Sequence, residues 1–381
     1  MDHINKKIWL IFHGRFPSEK AASLFAAKIA ESFSEKGLDV TLLVPKRFGS
    51  ANKDFADYYK IEENFNVVYL PTIDLFSIRF FGKFNFYLSF FIFSISTLIY
   101  LLFRANKIDV IYSNESLPLL ASSFRFKNIF YEVHDYPENK KYFYKLFLRR
   151  CRWILSTNEW KKNKLIKDFS LNSKKILVEP NAVEISKFNI EISKEEARNK
   201  LNLPKDKKII LYTGHLYSWK GTDLLAKAGN ELPDNFVVIF VGGTDLDIFK
   251  YKEKYGQQKL KFAGFRPHEE IPLWQKAADI LILPNTGKEK ISLYYTSPMK
   301  LFEYMASKRP VIASKLPSIE FILGKEYPFY FDSDDKESLI SMINFVFNFD
   351  NSEEVINSSF KKVFNHTWQN RATRIMSFIY G

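Results

Sequence analysis

Short runs of consecutive apolar residues alternate with helical patterns from one end of this chain to the other, and that alternation limits the folds open to it. The first series of runs falls at 8–12, 40–44, 67–70, 110–112, 129–133, 153–156 and 176–178. Runs this short, bounded by polar residues and without apolar/polar alternation, are the pattern of parallel strands buried on both faces. Between the first two, residues 21–36 carry apolar side chains at helical spacing and stop at Gly37, a residue that ends helices by adopting positive φ. The result is a βαβ unit. A polar stretch, 184–208, holds a short helix signal at 194–201 and a turn at Leu203-Pro204-Lys205-Asp206. A second series follows at 209–213, 236–241, 260–262, 280–283, 311–313 and 329–331. The chain of 381 residues exceeds the usual size of one domain. The expected fold class is therefore α/β, with two Rossmann-like domains over 1–186 and 187–365. Neither half shows a solenoid repeat. Open parallel sheets bind ligands outside the carboxyl ends of their strands, so the chemistry is expected in those loops, across a shared crevice.

Cys151 is the single cysteine, which excludes an intramolecular disulfide framework and a cysteine zinc cluster and fits a reducing compartment. The polar start, 1–7, runs into a strand pattern and reads as no export signal. The net charge of +13 calls for an acidic partner: nucleic acid, anionic lipid or a phosphorylated substrate. No ribonucleoprotein motif, zinc finger or basic zipper accompanies the 17% aromatic content, so a nucleic-acid partner is not expected. The uncharged run 86–103 has roughly the length of a membrane span. Ser89, Ser94, Ser96 and Thr97 interrupt it and a strand pattern follows directly, so a buried or membrane-touching helix is expected in place of a spanning one. Nearby, Lys140, Lys141, Lys145, Arg149, Arg150 and Arg152 interleave with Tyr142, Phe143, Leu146, Phe147 and Leu148. That basic amphipathic pattern suits an anionic membrane face as well as it suits an ordinary surface helix.

Two loops stand out for anion binding. Gly214-His215-Leu216-Tyr217-Ser218-Trp219-Lys220-Gly221 follows a strand pattern and leads into a helix near Thr222. Backbone N–H groups and a lysine at a helix start suit a diphosphate, although a plain surface turn has the same composition. In the segment from Ser297 through Pro298, Met299 and Lys300 to Glu303, a serine N-cap and a proline at the first helical position are expected. A nucleotide held at that helix start would reach Glu303 with its ribose hydroxyls. The plainer reading of Glu303 is a solvated helix residue.

These positions and those around them resemble the retaining glycosyltransferases of family four (glycosyl transferases group 1), which have the GT-B fold of two Rossmann-like domains facing each other across a cleft. The resemblance implies a diphosphate-holding role for Lys220, Gly214 and His215. Gly242-Gly243 is similar to the family's glycine pair, Ala263-Gly264-Phe265-Arg266 to its base-contacting loop, and Leu283-Pro284-Asn285 to the segment after it. Glu303, with Tyr304-Met305-Ala306 and Pro310-Val311-Ile312-Ala313 behind it, matches the ribose-binding glutamate, and Glu320 stands where the family usually has another. In the first half, Gly14 allows close backbone approach, and the histidine of Tyr131-Glu132-Val133-His134-Asp135 resembles one that faces the donor sugar. Pro180-Asn181-Ala182-Val183-Glu184 with Phe188 is similar to the hinge segment, and 366–380 to a final helix that crosses back onto the first domain. One departure stands out: the family's first glutamate is replaced by Tyr295.

The resemblance thus implies transfer of a hexosyl group, with retention, from a UDP- or GDP-linked sugar to a glycan or lipid-linked acceptor in cell-surface polysaccharide synthesis. His134, Lys220 and Glu303 are the expected catalytic group, with Gly14, Gly214, His215, Gly243, Phe265, Arg266, Tyr295, Ser297 and Lys300 around the donor. His3, His13, His134, His215, His268 and His366 lack metal-ligand spacing, and Asp245-Leu246-Asp247 reads as a solvated turn, so neither a metal nor another cofactor is expected. The expected location is cytoplasmic, peripheral at the inner face of the membrane. Tyr295 motivates one rival, a non-catalytic nucleotide-sugar-binding or assembly protein; the charge motivates a second, a basic scaffold for membrane or nucleic acid.

Overall fold

The computed structural model describes residues 6–47, 54–62, 64–73, 82–139, 141–256 and 258–381; His3 and Lys140 lie outside the described residues. The chain forms two compact units, Met1–Glu179 with Trp368–Gly381, and Pro180–Thr367. The division precedes residue 186 because the intervening segment is tied to the second unit. Val183 bridges Thr367, its N–H donates to the His366 carbonyl at 2.9 Å, and Phe188 is buried in the second unit's core.

In the first unit, β1 (Lys7–Ile11), β2 (Asp39–Pro45), β3 (Asn66–Leu70), β4 (Val110–Ser113), β5 (Ile129–Val133), β6 (Trp153–Ser156) and β7 (Ile176–Val178) form one parallel sheet in the order β3-β2-β1-β4-β5-β6-β7. Every residue of β4, β5 and β6 is buried, which is why these strands read as unbroken apolar runs. Strand order reverses beside β1. Right-handed crossovers therefore put the helices Ala21–Glu35 and Phe55–Tyr59 on one face. Gly82–Arg104, Ser116–Ser122, Lys141–Arg150 and Glu159–Phe169 lie on the other. The last helix, Trp368–Tyr380, packs against Ala21–Glu35. It starts two residues later than the pattern predicts, because Phe364–His366 forms a tighter turn and Thr367 is held by Val183.

In the second unit, β8 (Lys208–Thr213), β9 (Phe236–Val241), β10 (Leu260–Gly264), β11 (Ile280–Leu283), β12 (Val311–Ser314) and β13 (Tyr330–Phe331) run parallel in the order β10-β9-β8-β11-β12-β13. The reversal falls between β8 and β11, so the loops after these strands open at the switch point of the sheet. The short helix Lys194–Lys200 is fastened below the strands, where Asp279 accepts from Lys194 at 2.8 Å, Arg198 at 2.6 Å and the Ile209 N–H at 2.7 Å. Asp245-Leu246-Asp247 is not a turn but the first turn of the helix Asp245–Tyr255. Thr244 and Asp247 close a capping box there, which uses the Asp247 carboxylate for backbone capping.

Candidate functional site

The carboxyl ends of β8, β9 and β10 in the second unit are floored with glycine. Gly214, Gly242 and Gly264 have φ of 117°, 116° and 75°. The Gly214 N–H donates to the Val241 carbonyl and the Gly242 N–H to the Gly264 carbonyl, both at 2.7 Å. A Cβ on Gly242 would lie 2.6 Å from the Gly214 carbonyl oxygen, so the strand ends approach this closely only without side chains. Gly243 (φ 84°) continues the ledge over Leu216. Gly221 (φ 66°) sits against the Pro284 carbonyl at the start of the helix Thr222–Glu231, where the sequence places a helix start.

Two lysines converge on this ledge. Lys300, near the start of the helix Met299–Ala306, lies over the Tyr212 ring, its Nζ 4.1 Å from the ring centroid and donating to Tyr212 Oη at 2.7 Å. A side chain on Gly214 would overlap Lys300 Nζ and Cε, so the absent Cβ makes room for the ammonium group. Lys220 lies with Nζ 3.6 Å from the Trp219 ring centroid and makes no side-chain hydrogen bond among the described residues. Burial lowers its pKa to about 7, against a smaller opposing pull from Glu303. Burial first, and then the charge of Lys220, push Lys300 well below the ordinary lysine value. A phosphate oxygen about 4 Å from an ammonium group gains about 4 kcal/mol at an effective dielectric near 20, so an anion beside these lysines would draw them back towards the charged form.

Glu303 is buried on the same helix, 8% exposed, with Oε1 3.1 Å from His268 Nε2. His268 comes from the loop after β10 and packs edge-on against Phe188 at 5.6 Å. Tyr304 holds the strand end from below, accepting from the Thr213 N–H at 2.9 Å. Tyr295 closes a wide turn, Ile291–Tyr295, in which the Thr296 N–H donates to the Ile291 carbonyl at 2.9 Å. Its side chain is buried.

Other expected residues behave differently. Ser297 is not a helix cap: the helix begins at Met299 with no side-chain cap. Ser297 Oγ accepts from the Asn181 N–H at 3.0 Å and its carbonyl from Asn181 Nδ2 at 2.5 Å, so its polar groups anchor the Pro180 segment. His215 is exposed and stacks on Tyr217 at 4.9 Å, leaving its carbonyl to accept from Tyr212 Oη at 2.8 Å. Phe265 is 60% exposed beside the glycine ledge, and the Arg266 guanidinium lies 5.7 Å from the Trp274 ring centroid. In the first unit, the open space at Gly14 is taken by the ring of Phe12.

His134 stands at the end of β5 in a built setting. Its Nε2 lies 3.0 Å from Glu132 Oε1, and Phe25 meets its ring edge-on at 4.9 Å. Glu132 also accepts from Arg371 at 2.6 Å and from the Tyr112 hydroxyl. Burial alone would raise the Glu132 pKa, but Arg371, His134 and Lys161 outweigh it and hold the carboxyl low. Lys161 donates to the Val133 and His134 carbonyls, both at 2.7 Å, fixing the backbone beneath the ring. No group of three or more metal-ligating side chains occurs among the described residues.

His268, Asn181, Lys161 and Arg371 are contributors that sequence reasoning missed. The carboxylate of Glu132 inside a fully buried strand signalled a hidden cation, since an unpaired buried charge is prohibitive, but nothing local pointed to Arg371. Asn285, directly after the β11 loop proline, is fully buried with neither amide atom hydrogen-bonded among the described residues.

Residues 193–362 match the family described as glycosyl transferases group 1. The chain is 27% identical over 211 residues to the UDP-Gal:alpha-D-GlcNAc-diphosphoundecaprenol alpha-1,3-galactosyltransferase of Escherichia coli, an alignment covering 52% of each. It is 28% identical over 147 residues to the putative teichuronic acid biosynthesis glycosyltransferase TuaC of Bacillus subtilis, 38% of this chain and 35% of that one. The matches thus span about half or less of these curated relatives. Among solved structures, sucrose-phosphate synthase from Thermosynechococcus elongatus superposes with a TM-score of 0.79 at 18% identity over 98% of both chains. Anabaena HepE, solved in complex with UDP, gives 0.73 at 16% identity, again over 98% of both. The two-unit α/β architecture is that of the GT-B glycosyltransferases.

Proposed function

We infer that this chain, a glycosyltransferase carrying a group 1 domain over residues 193–362, moves a sugar from a nucleoside diphosphate to an acceptor hydroxyl. The observation that carries the reading is the pair Lys220 and Lys300: two ammonium groups desolvated at the strand ends, with burial opposing the charge of each. In the reaction the bond from the anomeric carbon to the diphosphate breaks, and a bond from that carbon to the acceptor oxygen forms with retention. The acceptor proton passes to the departing diphosphate, whose oxygen has just lost its bond to the anomeric carbon. Lys220 and Lys300 balance the charge gathered on the departing diphosphate without a metal, as preorganised cations in a dry site do. Glu303 takes the ribose hydroxyls, displacing His268, while the glycine ledge and Phe265 receive the base.

The donor is UDP-linked and hexosyl, a reading supported by the UDP in the HepE complex and by the UDP-Gal in the name of the Escherichia coli relative. That relative's name also includes a diphosphoundecaprenol, which supports a lipid-linked acceptor for polysaccharide synthesis and a place on the inner face of the membrane.

The test is thermal denaturation of the whole protein with UDP, GDP, ADP and their sugar conjugates, with and without EDTA. A ligand that binds only the native state raises the melting temperature. Stabilisation by the UDP series that survives EDTA, together with turnover on a polyprenyl-diphosphate sugar, is expected. Donor binding with no turnover would favour the binding-only rival prompted by Tyr295, and no stabilisation by any nucleotide would overturn the site.

A further inference from the structure

The helix Gly82–Arg104 is built the wrong way round for water. Its inward side carries Ser89, Ser94 and Thr97, each under 4% exposed, beside the buried Phe93 and Leu101. Ser89 finds partners inside, with Oγ 3.1 Å from Thr72 Oγ1 and its carbonyl accepting from Thr72 at 3.0 Å. The outward stripe at helical spacing is Phe84, Tyr87, Phe91, Ile95, Ile99 and Leu102, every one of them exposed. Only 28% of this apolar window is buried, whereas the core helix of a soluble protein is mostly covered. Continuous exposed apolar surface of this kind marks an interaction site.

The neighbouring helices on the same face of the sheet supply charge. Segments 82–108, 116–128 and 141–150 contain no carboxylate at all. Arg104, Lys107, Lys145 and Arg149 are exposed, and the Arg150 guanidinium lies 4.1 Å from the ring centroid of the exposed Phe124. The helix is also anchored flat: Phe93 and Leu101 are fully covered and Tyr100 meets Trp9 of β1 at 6.0 Å. Standing upright across a bilayer would strip these contacts.

We propose that the outward stripe of Gly82–Arg104, with Phe124 and the basic helix Lys141–Arg150 beside it, docks in the plane of a bilayer interface that carries anionic lipid. The proposal deepens the membrane placement given above and rests on it, while its own observations are independent of the donor chemistry. An apolar stripe sinks into the acyl boundary and basic side chains at its margin meet lipid phosphates, which is how in-plane helices bind. A second copy of the chain is a poorer occupant, because a two-fold interface would set the same predominantly basic surface against itself.

Cosedimentation of the full chain is measured with vesicles of phosphatidylcholine alone and of phosphatidylcholine with about one third phosphatidylglycerol. Binding to both is expected, tighter by about tenfold on the anionic vesicles, with release by alkaline carbonate. Phe91→Glu with Ile99→Glu should lower binding to both vesicles by about tenfold or more while the melting temperature and its response to UDP stay unchanged. Tyr87→Ser with Leu102→Ser provides a second variant should the first not fold. Lys145→Glu with Arg149→Glu should remove the anionic preference alone. Absence of vesicle binding, binding indifferent to the stripe variants, retention after carbonate, or a concentration-dependent dimer that the stripe variants abolish would each overturn the proposal. Loss of the UDP response with vesicle binding intact would instead overturn the site in the second unit.

Discussion

Lys161 and Lys220 belong to different units, and burial brings both to a pKa of about 7, yet they sit in opposite circumstances. Lys161 is fully buried and spends its protons on two carbonyls at 2.7 Å, next to a glutamate already paired with Arg371. Lys220 has an aromatic face at 3.6 Å and no hydrogen-bond acceptor among the described residues. The same depression therefore marks a satisfied strut in the first unit and an unsatisfied cation in the second. A perturbed lysine becomes evidence for a ligand site only when its hydrogen-bond partners have been counted.

The strongest way to test the satisfied half of this contrast is Arg371→Leu. It leaves Glu132 buried without its cation and is expected to cost about 3–5 kcal/mol in chemical denaturation, with the UDP response kept in whatever remains folded. Lys220→Ala should lower kcat by about 10²–10³-fold, while the unliganded melting temperature holds or rises, since a desolvated charge has been removed. A fall in melting temperature would make Lys220 a strut as well. Lys161→Ala should do the reverse, losing about 1–3 kcal/mol of stability because two carbonyls lose their donor, with the nucleotide-induced shift retained.

The smallest effect is the dependence on pH. The free Lys220 site is neutral above about 7, whereas a bound diphosphate draws its pKa back up, so binding takes up a proton in that window. UDP affinity should then fall as pH rises from about 7 towards 10, by at most about tenfold per unit for one lysine. Calorimetry in buffers of different ionisation enthalpy at pH about 8 reads the uptake directly. In the unliganded protein the unfolded chain binds the extra proton, so this lysine's contribution makes stability rise over the same range.

Much of this protein is legible in its sequence. The strands read correctly because burial on both faces writes itself as unbroken apolar runs, as in β5 and β9. The helix start at Thr222 and the Lys220 loop were legible because glycines with positive φ punctuate local structure. Ser297 failed for the complementary reason: a serine before Pro298 has the composition of a cap, but Asn181 competes for the same hydroxyl from 116 residues away.

By itself, then, the sequence determined whatever repeats at short range: the alternation of elements, their periods, and the residue types at the strand ends. Tertiary structure alone decided which charges meet and which face of an element turns outward. Glu132 and Arg371 are 239 residues apart, and no local rule pairs them. Likewise, the composition of Gly82–Arg104 states that the helix is apolar, while only its packing against β1 and the helix Ser116–Ser122 sends Ser89 and Thr97 inward and Phe91 and Ile99 outward. Periodicity measures angles around an axis. Which side of that axis is covered depends on distant neighbours, and no window of sequence contains them.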